Sequence, residues 1–192
     1  MKKVLLIAAI AVCSLKVSAQ TEQGNIVVGG SVNFSSQKIE VEDDAATSFS
    51  IIPKAGYFIQ ENIALGTGIG FQSGKSFDGD KTNTFIIAPF GRYYKSISEQ
   101  FKFFGELSVP MAFGRSENED GDKGPKYSAI GVGLSPGFAF FPTKKFGIEL
   151  SFSGISYRSE TVKPEIGDDM TSNVFNIGAD FFNPNIGLLF YF

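Results

Sequence analysis

The sequence contains no histidine and no tryptophan, and its single cysteine, Cys13, lies in an apolar stretch near the amino terminus. Lys2 and Lys3 precede that stretch, Val4 to Leu15, and Val17-Ser18-Ala19 follows it. A basic start, a short apolar core and small residues just before the cut predict a secretory signal peptide over residues 1–19. A lipoprotein signal at Cys13 is the alternative, but Val12 stands where a small residue is expected. The mature chain, residues 20–192, is then expected to have no cysteine and no disulfide framework. Without histidine or cysteine, a Ser-His-Asp triad, a Cys-His pair and a zinc site built on those ligands each lack a required member. Beyond residue 20 no apolar run approaches ~18 residues, so no transmembrane helix is expected. Basic residues are also scarce. Without Lys2, Lys3 and Lys16 the mature chain carries 14 basic residues against 20 acidic ones, a net charge of −6 that argues against a nucleic-acid partner.

What the chain does have is glycine and phenylalanine, 22 and 21 residues, distributed through alternating stretches. Eight such stretches are predicted, at about 24–35, 47–59, 63–74, 83–95, 101–115, 127–142, 146–158 and 173–192. In the third, Ile63, Leu65, Thr67, Ile69 and Phe71 alternate with Ala64, Gly66, Gly68, Gly70 and Gln72. A period of two with one greasy face and one small or polar face marks strands. Each stretch reaches the ~9–11 residues that a tilted membrane strand needs. The connections alternate as well. Gln60 to Asn62, Ser96 to Gln100 and Thr143 to Lys145 are short; Ser36 to Ala46, Lys75 to Lys81, Ser116 to Lys126 and Ser159 to Ser172 are longer and charged. Short inner turns and longer outer loops characterise an up-and-down outer-membrane barrel. The fold expected is all-β: a single eight-stranded antiparallel transmembrane barrel.

A repeat crosses the even-numbered stretches. Phe49-x-Ile51-x-Pro53-x-x-x-Tyr57 recurs around Pro89 and Pro136, and faintly around Pro184. Proline removes a ladder donor, so missing ladder bonds or bulges are expected at that level. In the last stretch the apolar set sits on odd positions through Phe181 and on even ones after Pro184, which predicts one extra residue near Asn183. Aromatics gather by the short turns (Tyr57, Phe58, Tyr93, Tyr94, Phe101, Phe103, Phe140, Phe141, Phe146, Tyr191, Phe192) and, more loosely, toward the outer loops (Phe34, Phe49, Phe71, Phe113, Tyr127, Tyr157, Phe175). Both sets are expected to form interfacial girdles.

The inward parity carries Lys54, Arg92, Glu106 and Glu149, each near a short turn. Paired carboxylates can do acid-base work, but a small barrel is filled by its own side chains and charges inside it must pair. A structural ion cluster is the reading preferred. The outer loops hold acidic runs, Glu40 to Asp44, Asp78 to Asp80, Glu117 to Asp122 and Asp168-Asp169. None has the EF-hand spacing, so no metal and no cofactor is expected. Gly66-x-Gly68-x-Gly70 opens no helix and is no dinucleotide fingerprint.

The sequence ends in Ile186 to Phe192, with Ile186, Leu188, Phe190 and Phe192 on one parity. The run Gly187-x-x-Phe190-x-Phe192 resembles the carboxy-terminal assembly signal of outer-membrane β-barrel proteins, although Ile186 stands where that signal usually has a polar residue. With the signal peptide and the repeats, the mature chain resembles the small outer-membrane β-barrel family, porin-like relatives of the OmpA membrane domain. That resemblance implies an outer-membrane location, contact with membrane lipid and lipopolysaccharide, delivery by the barrel-assembly machinery and no enzyme activity, since the barrel enzymes known rely on histidine. No peptidoglycan-binding domain is expected after the barrel, so the cell-wall anchoring role of full OmpA proteins is not implied. The expected role is structural, with surface interaction through the acidic loops of a monomer. The alternatives are a narrow porin-like pore and a secreted soluble barrel around a lipid-like ligand.

Overall fold

Large apolar side chains at every second position can be satisfied only if one face of each strand meets an apolar medium. The computed structural model describes residues 21–39, 45–178 and 185–192, and in it these strands join edge to edge into an antiparallel barrel. The strands are β1 Ile26–Gln37, β2 Ala46–Gln60, β3 Ile63–Lys75, β4 Lys81–Ser96, β5 Phe101–Ser108, β6 Met111–Glu117, β7 Lys123–Thr143, β8 Phe146–Ser151, β9 Ile155–Lys163, β10 Met170–Ile177 and β11 Asn185–Tyr191. They make eight staves, because β5 with β6, β8 with β9 and β10 with β11 each form one interrupted stave. Closure comes from Val27–Gly30 of β1 pairing with Leu188–Tyr191 of β11. Beyond that, among the described residues, the outer half of β1 pairs with β2 only and β10 with β9 only.

Short turns at Glu61-Asn62, Ile97 to Gln100 and Lys144-Lys145 gather at the end where β1 and β11 meet. We call this the inner end. Asn62 adopts a left-handed conformation (φ 62°), which asparagine tolerates at the tip of a tight turn. At the other end the strands run further than the sequence suggests. The loops expected over 75–81, 116–126 and 159–172 shrink to 76–80, 118–122 and 164–169, because their charged flanks pair across strands as readily as polar side chains on a solvated edge. With 16 residues in β4 and 21 in β7, these staves project past the ~9–11 residues that a bilayer requires.

The prolines set the interruptions. Ladder pairing between β2 and β3 skips Ile52 and Pro53. Opposite Pro89 the fifth stave breaks at Val109-Pro110, held by Val109 N–H donating to the Pro89 carbonyl at 3.0 Å. Opposite Pro136 the seventh stave breaks at 152–154, with Phe152 N–H on the Pro136 carbonyl at 2.9 Å. Each of these three prolines points its ring outward and offers the following stave a carbonyl but no donor. The break at 152–154 also adds a residue, so the inward set changes from Gly147, Glu149 and Ser151 to Ser156, Arg158 and Glu160. Simple alternation through Phe152 did not foresee this switch. In the eighth stave the parity change is present: Phe175 and Ile177 face out above, Ile186, Leu188 and Phe190 below. Ile155 pairs with Ile177 on one side of the change and Ser151 with Asn185 on the other. Asn183 and Pro184 themselves lie outside the described residues.

The outer wall is apolar. Val32, Phe34, Leu65, Ile69, Leu107, Ile130 and Leu188 are each half or more exposed. A continuous belt of this kind is what hydrocarbon solvates and water does not. The soluble, ligand-filled barrel would need these residues inside and is excluded by their placement.

Candidate functional site

The inward side chains of the inner half form two layers. Arg92 on β4 is the centre of the upper one. Its Nε and Nη2 donate to Glu106 Oε2 at 3.0 and 2.5 Å, and its Nη1 donates to Glu149 Oε1 and Oε2 at 2.6 and 2.8 Å. Lys54 Nζ donates to Glu106 Oε1 at 2.8 Å. Four staves deliver these groups, and register explains the meeting: Arg92 is directly opposite Glu106, and Glu149 opposite Ala139 one stave beyond β5 and β7. Gly137 leaves the space that the Phe104 ring fills beneath the guanidinium. Arg92, Glu106 and Glu149 are almost fully buried, whereas the Lys54 side chain keeps 29% of its surface open toward the outer half. Two cations and two anions balance, and no fully buried side-chain nitrogen or oxygen among the described residues lacks a partner. That satisfaction is the condition for tolerating charge in a low-dielectric interior.

Below lies a layer of rings, all but Phe104 among those expected at the membrane interface. Phe58, Tyr94, Phe104, Phe141 and Tyr191 are fully buried and pack ring on ring, with centroids 5.8 Å apart for Phe58 and Tyr94 and 5.2 Å for Phe141 and Tyr191. The expected inner girdle is therefore divided. In the pairs Tyr57-Phe58, Tyr93-Tyr94 and Phe140-Phe141 the first ring faces lipid and the second faces the lumen, as neighbours on a strand must. Of the outer set, Tyr127 turns inward and its hydroxyl meets that of Thr84, while Phe34, Phe49, Phe71, Phe113, Tyr157 and Phe175 face out. The tyrosine hydroxyls join the two layers. Tyr94 Oη accepts from Arg92 Nη1 at 2.8 Å, Tyr94 and Tyr191 donate to Glu149 Oε1 at 3.2 and 3.3 Å, and the Arg92 guanidinium lies 4.3 Å from the Phe104 ring centroid.

The segment just before β1 closes the inner mouth. The Thr21 carbonyl accepts from Asn62 N–H at 2.8 Å, the Thr21 hydroxyl donates to Asn62 Oδ1 at 2.7 Å, and Lys102 Nζ donates to that hydroxyl at 2.6 Å. Gly24 N–H bonds the Phe58 carbonyl at 2.9 Å. Nothing in the alternation announced this strap. The inward parity did announce the aromatics: Tyr94 is two residues from Arg92, and Phe58 four from Lys54.

This arrangement pairs its charges and packs the inner half with rings. Both carboxylates are occupied as acceptors by one guanidinium, with Lys54 on Glu106, two tyrosine hydroxyls on Glu149 and an aromatic floor beneath. No group of three or more metal-binding side chains forms among the described residues. Of the other residues singled out, Gly187 faces Glu149 inside, Phe190 lies outside against Phe146 at 5.5 Å, and the Phe192 backbone exchanges two hydrogen bonds with Ile26. The acidic residues of loops 76–80, 118–122 and 164–169 are at the outer end, remote from the cluster, and Glu40, Glu42, Asp43 and Asp44 lie outside the described residues.

Comparison with known proteins agrees with this geometry. Neisserial surface protein A, from Neisseria, superposes with a TM-score of 0.51 at 14% identity, covering 88% of this chain and 97% of its own. The outer-membrane protein OprG of Pseudomonas aeruginosa gives 0.49 at 15% identity, covering 91% and 99%. Among curated proteins none matches the sequence. The likeness to neisserial surface protein A, at this identity, speaks for the fold alone. The model of the outer membrane protein beta-barrel domain matches residues 5–181. The chain belongs to that outer-membrane β-barrel family, a generally non-catalytic one whose members sit among membrane lipid.

Proposed function

We propose that this protein is a monomeric membrane anchor that carries no solute, has no catalytic activity, and works through its acidic outer loops. The observation that carries this reading is the sealed inner half. Arg92, Glu106, Glu149 and the five buried rings pack the inner half of the lumen, and among the described residues no fully buried polar side-chain atom lacks a partner. Among the described residues the large open spaces, cavities of about 560 and 360 Å³, lie in the outer half, while a space of only about 10 Å³ remains beside Lys54, Phe90 and Arg92. The smaller has Lys54, Arg92 and Glu149 in its lining, so the ion cluster is its floor. The four charged residues act as the structural core of the seal, and Gly187, Phe190 and Phe192, on the strand that closes the barrel, are the segment offered to the assembly machinery. The leader over residues 1–19 is removed on export.

Planar-bilayer recording tests the seal: purified folded protein is expected to add no stepwise conductance. Reproducible unitary steps from the unmodified chain would favour the narrow pore instead. The loops are expected to be dispensable for the fold. Changing Glu119, Asp120 and Asp122 to asparagine or glutamine should move unfolding by no more than about 0.5 kcal/mol, read from urea titration in lipid vesicles. These carboxylates hang on a turn fastened largely by Asn118, whose N–H bonds the Asp122 carbonyl at 3.0 Å. A larger loss would mean that the loops belong to the fold and are not a free contact surface.

A further inference from the structure

The outer rim of the wall holds a row of like charges that the barrel itself does not explain. Arg115 on β6 pairs directly with Lys126 on β7, and Lys126 pairs directly with Lys163 on β9. All three have outward parity. Directly opposed like charges on neighbouring strands repel, and here three stand in line. Two are partly compensated at exposed sites: Arg115 by Glu165 at 3.4 Å and Lys163 by Asp169 at 3.0 Å. Lys126, in the middle, is exposed and has no carboxylate within salt-bridge distance among the described residues. One step further out, Lys81, Glu117 and Lys123 form a second row across β4, β6 and β7.

What lies beneath the row fixes its depth. Two residues toward the membrane from Arg115 is Phe113, directly opposite Phe85, which is opposite Phe71; all three rings point outward and are about half exposed. Below them come Met111 and Ile130, and then the continuous apolar belt. Hydrocarbon-facing side chains, an aromatic tier and a cation follow in sequence in the Arg115 column, while the outward positions beneath Lys126 and Lys163 are Ser128 and Thr161; aromatics mark the boundary between acyl chains and head groups. The cations sit at head-group height, facing lipid and not the lumen.

We propose that Arg115, Lys126 and Lys163 bind a phosphate of an outer-leaflet glycolipid, whose acyl chains lie along the Phe113 and Ile130 face. An anion between three cations removes the repulsion that the register imposes, and charge-assisted bonds from a guanidinium to phosphate are strong and directional. Glu165 and Asp169 fit this reading as holders of the two flanking cations. The proposal is independent of the sealed lumen and of the loop surface, and it assigns direct contact to the strand rim with no bridging divalent cation.

The test uses full-length protein, folded in mild detergent and in EDTA, titrated with bisphosphorylated lipid A, with its dephosphorylated form and with inorganic phosphate, and read by native mass spectrometry and by unfolding temperature. One bound bisphosphorylated glycolipid is expected, held about tenfold more tightly than the dephosphorylated form. A triple change, Arg115→Gln with Lys126→Gln and Lys163→Gln, should abolish that preference. The variant's unfolding temperature in lipid-free detergent should be equal to or above that of the parent, because repulsion is relieved. Equal binding of both lipid forms, an unaltered preference in the triple variant, or binding that disappears in EDTA would overturn the proposal. So would full stabilisation by inorganic phosphate alone, which would assign the row to a free anion. Conductance is unaffected by either result, so the failure of this proposal is separable from failure of the sealed-anchor reading.

Discussion

Arg92→Met is expected to destabilise the folded barrel by about 3–5 kcal/mol, the cost of leaving buried charges without their partner. Five donor contacts are lost at once: two to Glu106, two to Glu149 and one to the Tyr94 hydroxyl. Glu106 retains Lys54, so its exposure to the loss is partial. Glu149 retains only two tyrosine hydroxyls on one oxygen and is nearly fully buried. The deficit should therefore concentrate at Glu149. Adding Glu149→Gln to Arg92→Met is expected to recover the larger part, since a neutral amide still accepts from both tyrosines and no uncompensated charge remains. Glu149→Gln alone should also destabilise, because it strands half of the guanidinium. Urea titration in vesicles, followed by circular dichroism and by the gel-mobility shift on boiling, gives all three values. If Arg92→Met unfolds within about 1 kcal/mol of the parent, the cluster is an incidental contact and the seal rests on the aromatic layer alone.

The same residues show how far the sequence could be read. Strand number, direction and inward face follow from period-two alternation, and the inward face alone brought Lys54, Arg92, Glu106 and Glu149 together as candidates. The rings taken by themselves do not tell which of two adjacent aromatics faces lipid, because both faces of a membrane barrel accept a ring near its inner end. Tyr93 and Tyr94 are the clear case: the pair looks like one interfacial anchor, yet one ring is more than half exposed and the other is fully buried. Extending the parity of Arg92 by two residues resolves them. The Thr21–Asn25 strap carries no periodicity at all, and its fit to Asn62 and Lys102 depends on contacts between parts of the chain far apart in sequence. The parity switch at 152–154 was hidden because Phe152 continues the apolar pattern of Phe146, Ile148 and Leu150 while the backbone opposite Pro136 does not. The outer-rim basic row was equally silent. Arg115 closes an expected strand while Lys126 and Lys163 fall in expected loops, and only register sets the three side by side.

Gly29→Val is expected to impair closure of the barrel, by about 3 kcal/mol or more, with most protein failing to show the compact unheated band. Gly29 faces inward at the seam, opposite Leu189 on one side and Lys54 on the other. A Cβ there would fall into the Leu189 side chain and onto the Leu188 carbonyl. A side chain can change rotamer; the carbonyl belongs to the ladder that closes the barrel and cannot withdraw without breaking it. That ladder spans four residue pairs among the described residues, so one displaced pair is a large part of what holds first strand to last. The contact is also among the most distant in sequence, and contacts of high separation are slow to form. Refolding into vesicles should therefore slow as well as lose amplitude. Gly105→Ala is the control, since a Cβ at Gly105 meets nothing within 4 Å, and it should leave the band and the rate unchanged. Adding Leu189→Ala to Gly29→Val should relieve only the side-chain part of the clash. A Gly29→Val protein with normal mobility and refolding rate would mean that the seam has slack and that closure depends on a wider stretch of the first and last strands.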